Sequence, residues 1–375
     1  MSHTLHIGRK GKARMVSGKS DLTGGVDADR ELMFASRPED PEMRDSASFW
    51  VLDERGEVGL PRIGIEAVAS NWDAHQIQVN VAFADGRVYR LREDGASWPV
   101  EGPDGRPTVL GAGPLAFTCV RPFGTWTLSF DGQAVATSSE ALVAGNTDGP
   151  RVDVAFQVEA TMAVPPWIQG TMQADADRSL KTSIVGDLMG GPRYEQLFRA
   201  TGSVRVGDGP EHTFGGTGLR IRRQGVRRLE GFWGHCWQSA LFPSGKAFGY
   251  IAYPPRPDGE PQYNEGYLYR GEGDLVPARV VEAPWLTRLH PVLGDEVPLV
   301  LESDDGTERI EGVTVVSTHH VQRGPVSADE AVKAANWTFP PLQQAGVRYT
   351  WDGEQAIGML ERSNMPEYVE AEDCR

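Results

Sequence analysis

The sequence predicts an all-β protein made of two tandem barrels or strongly bent antiparallel sheets. Three observations point there. Short runs rich in β-branched and aromatic side chains recur along the chain, glycine-containing turns separate them, and no long helical periodicity lies between. Gly (44) and Pro (26) together make up close to a fifth of the 375 residues, against a usual ~12%, and they cluster between the apolar runs.

Taken in order, residues 47–51, 62–68, 76–83 and 87–91 read as strands. Ala84-Asp85-Gly86 is the hairpin turn between the last two, since glycine reaches the positive φ that such turns need. Residues 115–121, 125–130 and 151–158 continue the pattern, with Asp131-Gly132 read as another turn. Val164-Pro165-Pro166 interrupts it, because proline has no N–H to give to a ladder, and the half-way junction is placed at 164–180. Beyond it, residues 196–206, 219–223, 231–241, 246–253, 263–270 and 309–318 read as strands. Residues 231–270 form a three-stranded meander with Pro243-Ser244-Gly245 and Asp258-Gly259 in its connections. One helix is expected at 327–335, where Ser327 can cap and Glu330 follows three positions on. A last hairpin joins 347–351 to 356–361 at Asp352-Gly353. The expected units are an N-terminal arm (1–40), a first β domain (41–165), a second (166–363) and a polar tail (364–375).

Charge narrows the function. With 52 acidic against 37 basic residues the formal net charge is −15, which argues against nucleic acid and anionic lipid as partners. No apolar run approaches the ~20 residues of a membrane-spanning helix. Residues 1–15 are polar and basic, unlike a secretory signal. Cys119, Cys236 and Cys374 have no ladder or Cys-x-x-Cys spacing, so neither disulfides nor a cysteine zinc site is expected. His319-His320 are adjacent on a strand and point to opposite faces, and no His-x-x-x-His, Gly-x-Ser-x-Gly, phosphate-loop or dinucleotide pattern occurs. The expectation is a cytoplasmic protein that needs no metal or cofactor.

The most informative stretch is Gly231-Phe232-Trp233-Gly234-His235-Cys236-Trp237. On a strand Trp233, His235 and Trp237 share one face, giving an apolar surface with a single titratable point. Such a surface either lines a pocket, with Tyr253 of the next strand beside it, or is a packed core holding a bonded histidine. Downstream, Tyr263, Glu265, Tyr267 and Tyr269 share a face. Turned inward, Glu265 would be a desolvated proton donor among phenols; turned outward, it is a solvated surface group. Trp72-Asp73 with His75 and Glu66 could form a site at a barrel mouth, or be solvated loop residues. Arg220, Arg222, Arg223, Arg227 and Arg228 form a basic cluster. Ion pairs with the chain's surplus carboxylates are the expected use, an anionic group on a ligand the alternative.

Ser46-Ala47-Ser48-Phe49-Trp50-Val51, Tyr194-Glu195-Gln196, and the frame Gly218, Arg220, Gly225, Arg227 resemble a known pattern, as does the closing strand with Gly358 and Glu361. It is that of the bacterial double-lipocalin-like group of carotenoid 1,2-hydratases and AttH-like proteins, linked to plant tocopherol cyclases and fungal pericyclases. The likeness covers residues 40–363. It implies lipocalin-like barrels and an acid that protonates an isolated double bond. The family's Asp-His-Ser-Trp core is replaced here by Ile221, Arg222, Arg223 and Gln224, so the acid has moved or the chemistry has changed.

The sequence therefore predicts a hydrophobic small-molecule pocket near the domain junction. The leading function is a cofactor-independent hydratase, isomerase or cyclase acting on a terpenoid- or steroid-like molecule. His235, Glu265 or Asp73 would move the proton, and Trp72, Trp233, Trp237, Tyr253 and Tyr267 would line the site. The rival is a carrier for the same kind of ligand. A homodimer is compatible with either.

Overall fold

A computed structural model describes residues 20–255, 263–321 and 339–370. The helix expected at 327–335 and the turn at Asp258-Gly259 lie outside the described residues. The first half contributes β1 (Met43–Asp53), β2 (Val58–Val68), β3 (Ala74–Phe83), β4 (Arg87–Ala96), β5 (Val109–Ala112), β6 (Leu115–Arg121), β7 (Thr125–Ser138), β8 (Arg151–Met162) and β9 (Trp167–Ile168). Then come β10 (Arg193–Val206), β11 (His212–Val226), β12 (Gly234–Leu241), β13 (Lys246–Ala252), β14 (Asn264–Arg270) and β15 (Val276–Glu282). The last are β16 (Leu299–Ser303), β17 (Gly306–His320), β18 (Leu342–Trp351) and β19 (Glu354–Asn364). Among the described residues three short α-helices interrupt them: α1 (Ser139–Val143), α2 (Ala174–Thr182) and α3 (Ile184–Met189).

The predicted all-β class holds. β12 to β19 close into an eight-stranded antiparallel barrel in sequence order. The first sheet runs β4-β3-β2-β1-β11-β10-β8-β7, and residues 87–90 of β4 pair with 135–138 of β7 to close it into a ring. β10 and β11 belong to this first ring, so the chain crosses to the barrel only after Val226. The junction placed at 164–180, and with it the 165/166 boundary, is therefore corrected. The prolines do end the β8 ladder, but β10 returns to pair with β8. Asp131-Gly132 is no turn either. β7 runs straight through it, and a Cβ on Gly132 would stand 2.7 Å from Pro114, so the glycine admits that ring.

The flanking units also change. Within the arm, Asp27 caps the 3-10 turn Ala28–Glu31, and Glu31 is fully buried in the first ring. There Glu31 accepts hydrogen bonds from Arg220, Tyr194 and Trp126. After Asn364 a 3-10 turn, Pro366–Tyr368, forms where a loose tail was expected.

Alternation explains where the cores sit. In β1, Phe49 and Val51 point into the ring, while Trp50 and Leu52 point out toward the barrel. Both faces are covered, which is why the strand reads as a continuous apolar run. The ring interior is filled by Phe49, Phe117, Trp126 and their neighbours; the barrel interior is filled by Phe248, Tyr349 and Trp351. Both interiors are packed with side chains. A third apolar cluster joins the two outer faces, with Trp50 and Trp237 edge to face at 4.7 Å.

Candidate active site

Beside that contact the two outer faces part around a cavity of about 690 Å³. The ring supplies Arg62, Glu66, Gln76, Gln78, Arg92, Arg193, Ile221, Arg223 and Arg227, and the barrel supplies His235, Trp237, Ile251, His320, Gln344 and Glu361. Phe232 and Tyr253 close one side. The pocket expected near the junction is present, but its wall is half polar.

Its most organised group centres on Glu361. Cross-strand register places Glu361 directly between Trp237 of β12 and Gln344 of β18. Arg62 Nη1 donates to both carboxylate oxygens at 2.9 and 3.0 Å, and Gln344 Nε2 donates at 2.6 Å. Arg62 reaches across from β2 because the strand bulges there. The register with β3 shifts between Gly59 and Gly64, and Arg62 sits at φ 63°, the left-handed region. Burial alone would raise the Glu361 pKa, but Arg62, His235 and Gln344 hold it well below the usual carboxylate range. His235 Nε2 lies 3.2 Å from Glu361 Oε1, off the line of a straight hydrogen bond. Burial lowers the imidazole pKa against the pull of Glu361, so His235 is neutral at pH 7 beside a fixed anion. A proton on Nε2 faces that anion, leaving Nδ1 as the ring's acceptor.

Of the residues singled out from sequence, His235, Trp237 and Tyr253 line the cavity together, with Glu66, Arg223 and Arg227 across from them. Trp233 does not. β12 begins at Gly234, whose φ of 125° and lack of room for a Cβ break the alternation one residue earlier. Trp233 instead donates from Nε1 to Pro254 O at 2.9 Å, and Phe232 takes the wall position. Tyr267 shares the outer barrel face but packs on Trp167 at 5.6 Å, away from the cavity. Glu265 is fully buried and lies off the cavity wall. Its carboxylate accepts from Trp167 Nε1, Gly170 N, Met172 N, Gln173 N and the Tyr263 hydroxyl, at 2.6–3.3 Å. Those donors leave it no lone pair for a substrate, and its place is to fasten the segment after β9 to the barrel. Asp73 is exposed at the ring's edge, and Trp72 packs on the ring interior near His75. Neither lines the cavity.

Sequence reasoning missed Arg62, Arg193, Gln344 and the role of Glu361. Glu361 had a signal: it alternates with Ile357 and Met359 on the apolar outer face of β19. Glu195 stands just behind the wall. Its carboxylate takes bonds from Arg193 at 2.6 Å, Gln169 at 2.7 Å and Trp237 Nε1 at 3.0 Å. Burial nevertheless pushes its pKa up to about 7, with Arg193 and Trp237 opposing. A carboxyl raised in this way binds its proton more tightly folded than unfolded. It thus lowers stability as pH climbs from the ordinary carboxylate range to about 7, and by a constant amount above. Glu195→Gln should flatten that limb of a stability–pH curve, and should abolish a change in tryptophan emission centred near the same pH. An unchanged curve in the variant would remove Glu195 as its source.

The sequence matches, over residues 27–366, the model of a family described as a domain of unknown function, DUF7064. No curated protein sequence matches the chain significantly. Among solved structures, an AttH candidate from Nitrosomonas europaea superposes with TM-score 0.51 at 14% identity, over 90% of this chain and 99% of its own. CghA, solved with Sch210972, gives TM-score 0.54 at 13% identity, over 87% and 89%. The resemblance read from the sequence thus holds at the level of fold.

No helix among the described residues is long and apolar enough to cross a membrane, and no cluster of three or more His, Cys, Asp or Glu among them could hold a metal.

Proposed function

The chain belongs to the DUF7064 family, and on that premise we propose that it is a cofactor-independent acid/base enzyme for a largely apolar small molecule held between its two barrels. The observation that carries this reading is the His235–Glu361–Arg62 group on the cavity wall. A neutral imidazole oriented by an ionised carboxylate is how a proton is taken from, or returned to, a substrate near neutral pH. Nδ1 of His235 accepts the proton, and Glu361 steadies the imidazolium that forms. The proton that Nδ1 takes from a substrate C–H, from a water that adds to the substrate's double bond, or from a substrate hydroxyl that adds to it, returns from the imidazolium to carbon, giving isomerisation, hydration or cyclisation respectively. The Phe232 ring, 5.2 Å from the imidazole, favours the imidazolium that forms. The fold shared with CghA, a structure solved with a small molecule, is consistent with this use, and a terpenoid- or steroid-like molecule suits the apolar part of the wall.

A second reading has one observation in its favour. Ile221, the position at which the resemblance expects an aspartate, is on the cavity wall, and an isoleucine there suits a carrier that does no chemistry.

Incubation with a panel of apolar alkenes and ketones in deuterated water, followed by mass spectrometry, separates the two. Deuterium at carbon or a gain of one water, lost in His235→Gln, is the expected result. Deuterium uptake that survives in His235→Gln removes His235 from the mechanism. Tryptophan quenching by a ligand that stays chemically unchanged establishes the carrier.

A further inference from the structure

We infer that Arg223, with Arg227 and Arg193 beside it, forms an anion subsite, and that the cavity's ligand is an apolar molecule bearing one ionised oxyanion, a carboxylate or a phosphate monoester. This deepens the reading of the cavity as a ligand site and rests on it.

Arg193 on β10 and Arg223 on β11 are directly opposite one another, and both are buried, at 5% and 6% exposure. Like charges in directly opposed positions repel, and burial removes the water that would screen them. Arg193 has a partner: its guanidinium holds Glu195 at 2.6 Å and lies over the Trp237 ring at 5.0 Å. Arg223 has none among the described residues. No side-chain hydrogen bond or ion pair of its guanidinium is formed there, and its Nε is buried without an acceptor. Arg227 gives its Nε to Leu188 O at 3.1 Å and holds no carboxylate either.

Glu66, on the same cavity wall, is the carboxylate whose charge acts on both Arg223 and Arg227, but it also pairs with Arg44 at 3.1 Å, so one anion is shared among three arginines, while Glu361 is held by Arg62. The rest of the basic cluster is also accounted for. Arg220 pairs with Glu31 and Arg222 with Asp45 inside the ring, while Arg228 pairs with Glu42 at the surface. Strand alternation thus divides the cluster: ion pairs, as expected, for Arg220 and Arg222, and an open cationic wall for Arg223. In a chain of net charge −15, arginines that outnumber the carboxylate they share on one cavity wall are a local reversal of sign. Burial, and then the neighbouring Arg227 and Arg193, hold the Arg223 pKa well below its ordinary value. A bound anion would relieve that strain. Buried cations are kept where something pairs with them. Against Ile221, Phe232, Trp237 and Ile251 the same cavity offers an apolar wall for the rest of the molecule.

A matched pair of fluorescent probes tests this without a known substrate: 1-anilinonaphthalene-8-sulfonate and N-phenyl-1-naphthylamine, the same skeleton with and without the anion. The wild-type chain should bind the sulfonate at least about ten-fold more tightly, the value of one charge-assisted contact. Arg223→Gln should lose most of that preference while its affinity for the neutral probe and its melting temperature stay unchanged. Arg223→Lys, which keeps the charge, should retain part of it. Competition then names the head group. Displacement by dodecanoate or by dodecyl phosphate, but not by dodecanol, supports the subsite and says which oxyanion it prefers. Equal affinity for both probes in the wild type, equal displacement by all three competitors, or an undiminished preference in the Arg223→Gln/Arg227→Gln variant overturns it. None of these outcomes bears on proton transfer, which is read separately as deuterium uptake dependent on His235.

Discussion

Glu361→Gln is expected to reduce turnover by about 10²–10⁴-fold, the range that an oriented acid/base group contributes. The change removes the anion that orients His235 and stabilises its imidazolium, while the amide keeps the side chain's shape. Affinity for a neutral apolar ligand should change little, because the carboxylate is already bound to Arg62 and Gln344 rather than free for the ligand. A readout independent of substrate exists. Glu361 raises the His235 pKa against burial, so in the variant the imidazole should titrate at still lower pH, followed by NMR of its ring protons. If the His235 titration does not move, the pair seen at 3.2 Å is not an energetic one and the proposed mechanism fails. The variant also strands the Arg62 guanidinium, whose side chain is 18% exposed. Loss of one partner from a largely buried pair costs about 3–5 kcal/mol at full burial, so a stability loss toward the lower end should accompany the catalytic one.

Glu31→Gln is expected to be the most damaging single change to stability, at about 3–5 kcal/mol. Arg220 and Glu31 are both fully buried, so removing the carboxylate's charge leaves a guanidinium with no counter-ion and no water. Glu31 also receives Tyr194 OH, Trp126 Nε1 at 3.0 Å and Phe123 N at 3.2 Å, which with Arg220 ties the N-terminal segment to β7, β10, β11 and the β6–β7 turn. Urea midpoints at constant slope measure the loss. The double change Glu31→Leu with Arg220→Met should recover much of it, since a buried pair replaced by apolar groups is often near neutral. If the single variant costs no more than a surface substitution, the pair is not what holds the segment. The pH dependence has a definite sign. Burial would raise the Glu31 pKa, but Arg220, Tyr194 and Trp126 bring it below the ordinary carboxylate value. Its stabilisation is therefore complete above the unfolded-state pKa and is lost as pH falls through the lower folded value. Acid unfolding should begin earlier in the variant than in the wild type.

The hairpins were legible because glycine in a turn is a local requirement. Gly86, at φ 87°, and the Asp352-Gly353 pair, both at positive φ, occupy the turns assigned to them. That His235 and Trp237 share a face was legible for the same local reason, since alternation is a property of one strand. Alternation also contained, unread, the division of the arginine cluster between the ring interior and the cavity. Other features were not local. Glu265 shows the same pattern as His235 along its strand, yet one is saturated by a returning loop and the other faces open space.

Sequence alone thus determined the all-β class, most strands, the faces of β12 and β14, and the presence of an aromatic surface with one imidazole. Only the tertiary structure decided which face meets which. It decided that β10 and β11 belong to the first ring, and that both barrel interiors are filled while their outer faces enclose the cavity. It also brought Arg62 to Glu361 across 299 positions of chain. The physical reason is range. Turn geometry and side-chain alternation are fixed by a residue and its few neighbours, whereas a buried carboxylate's role depends on which donors arrive from distant segments, and no local pattern encodes their arrival.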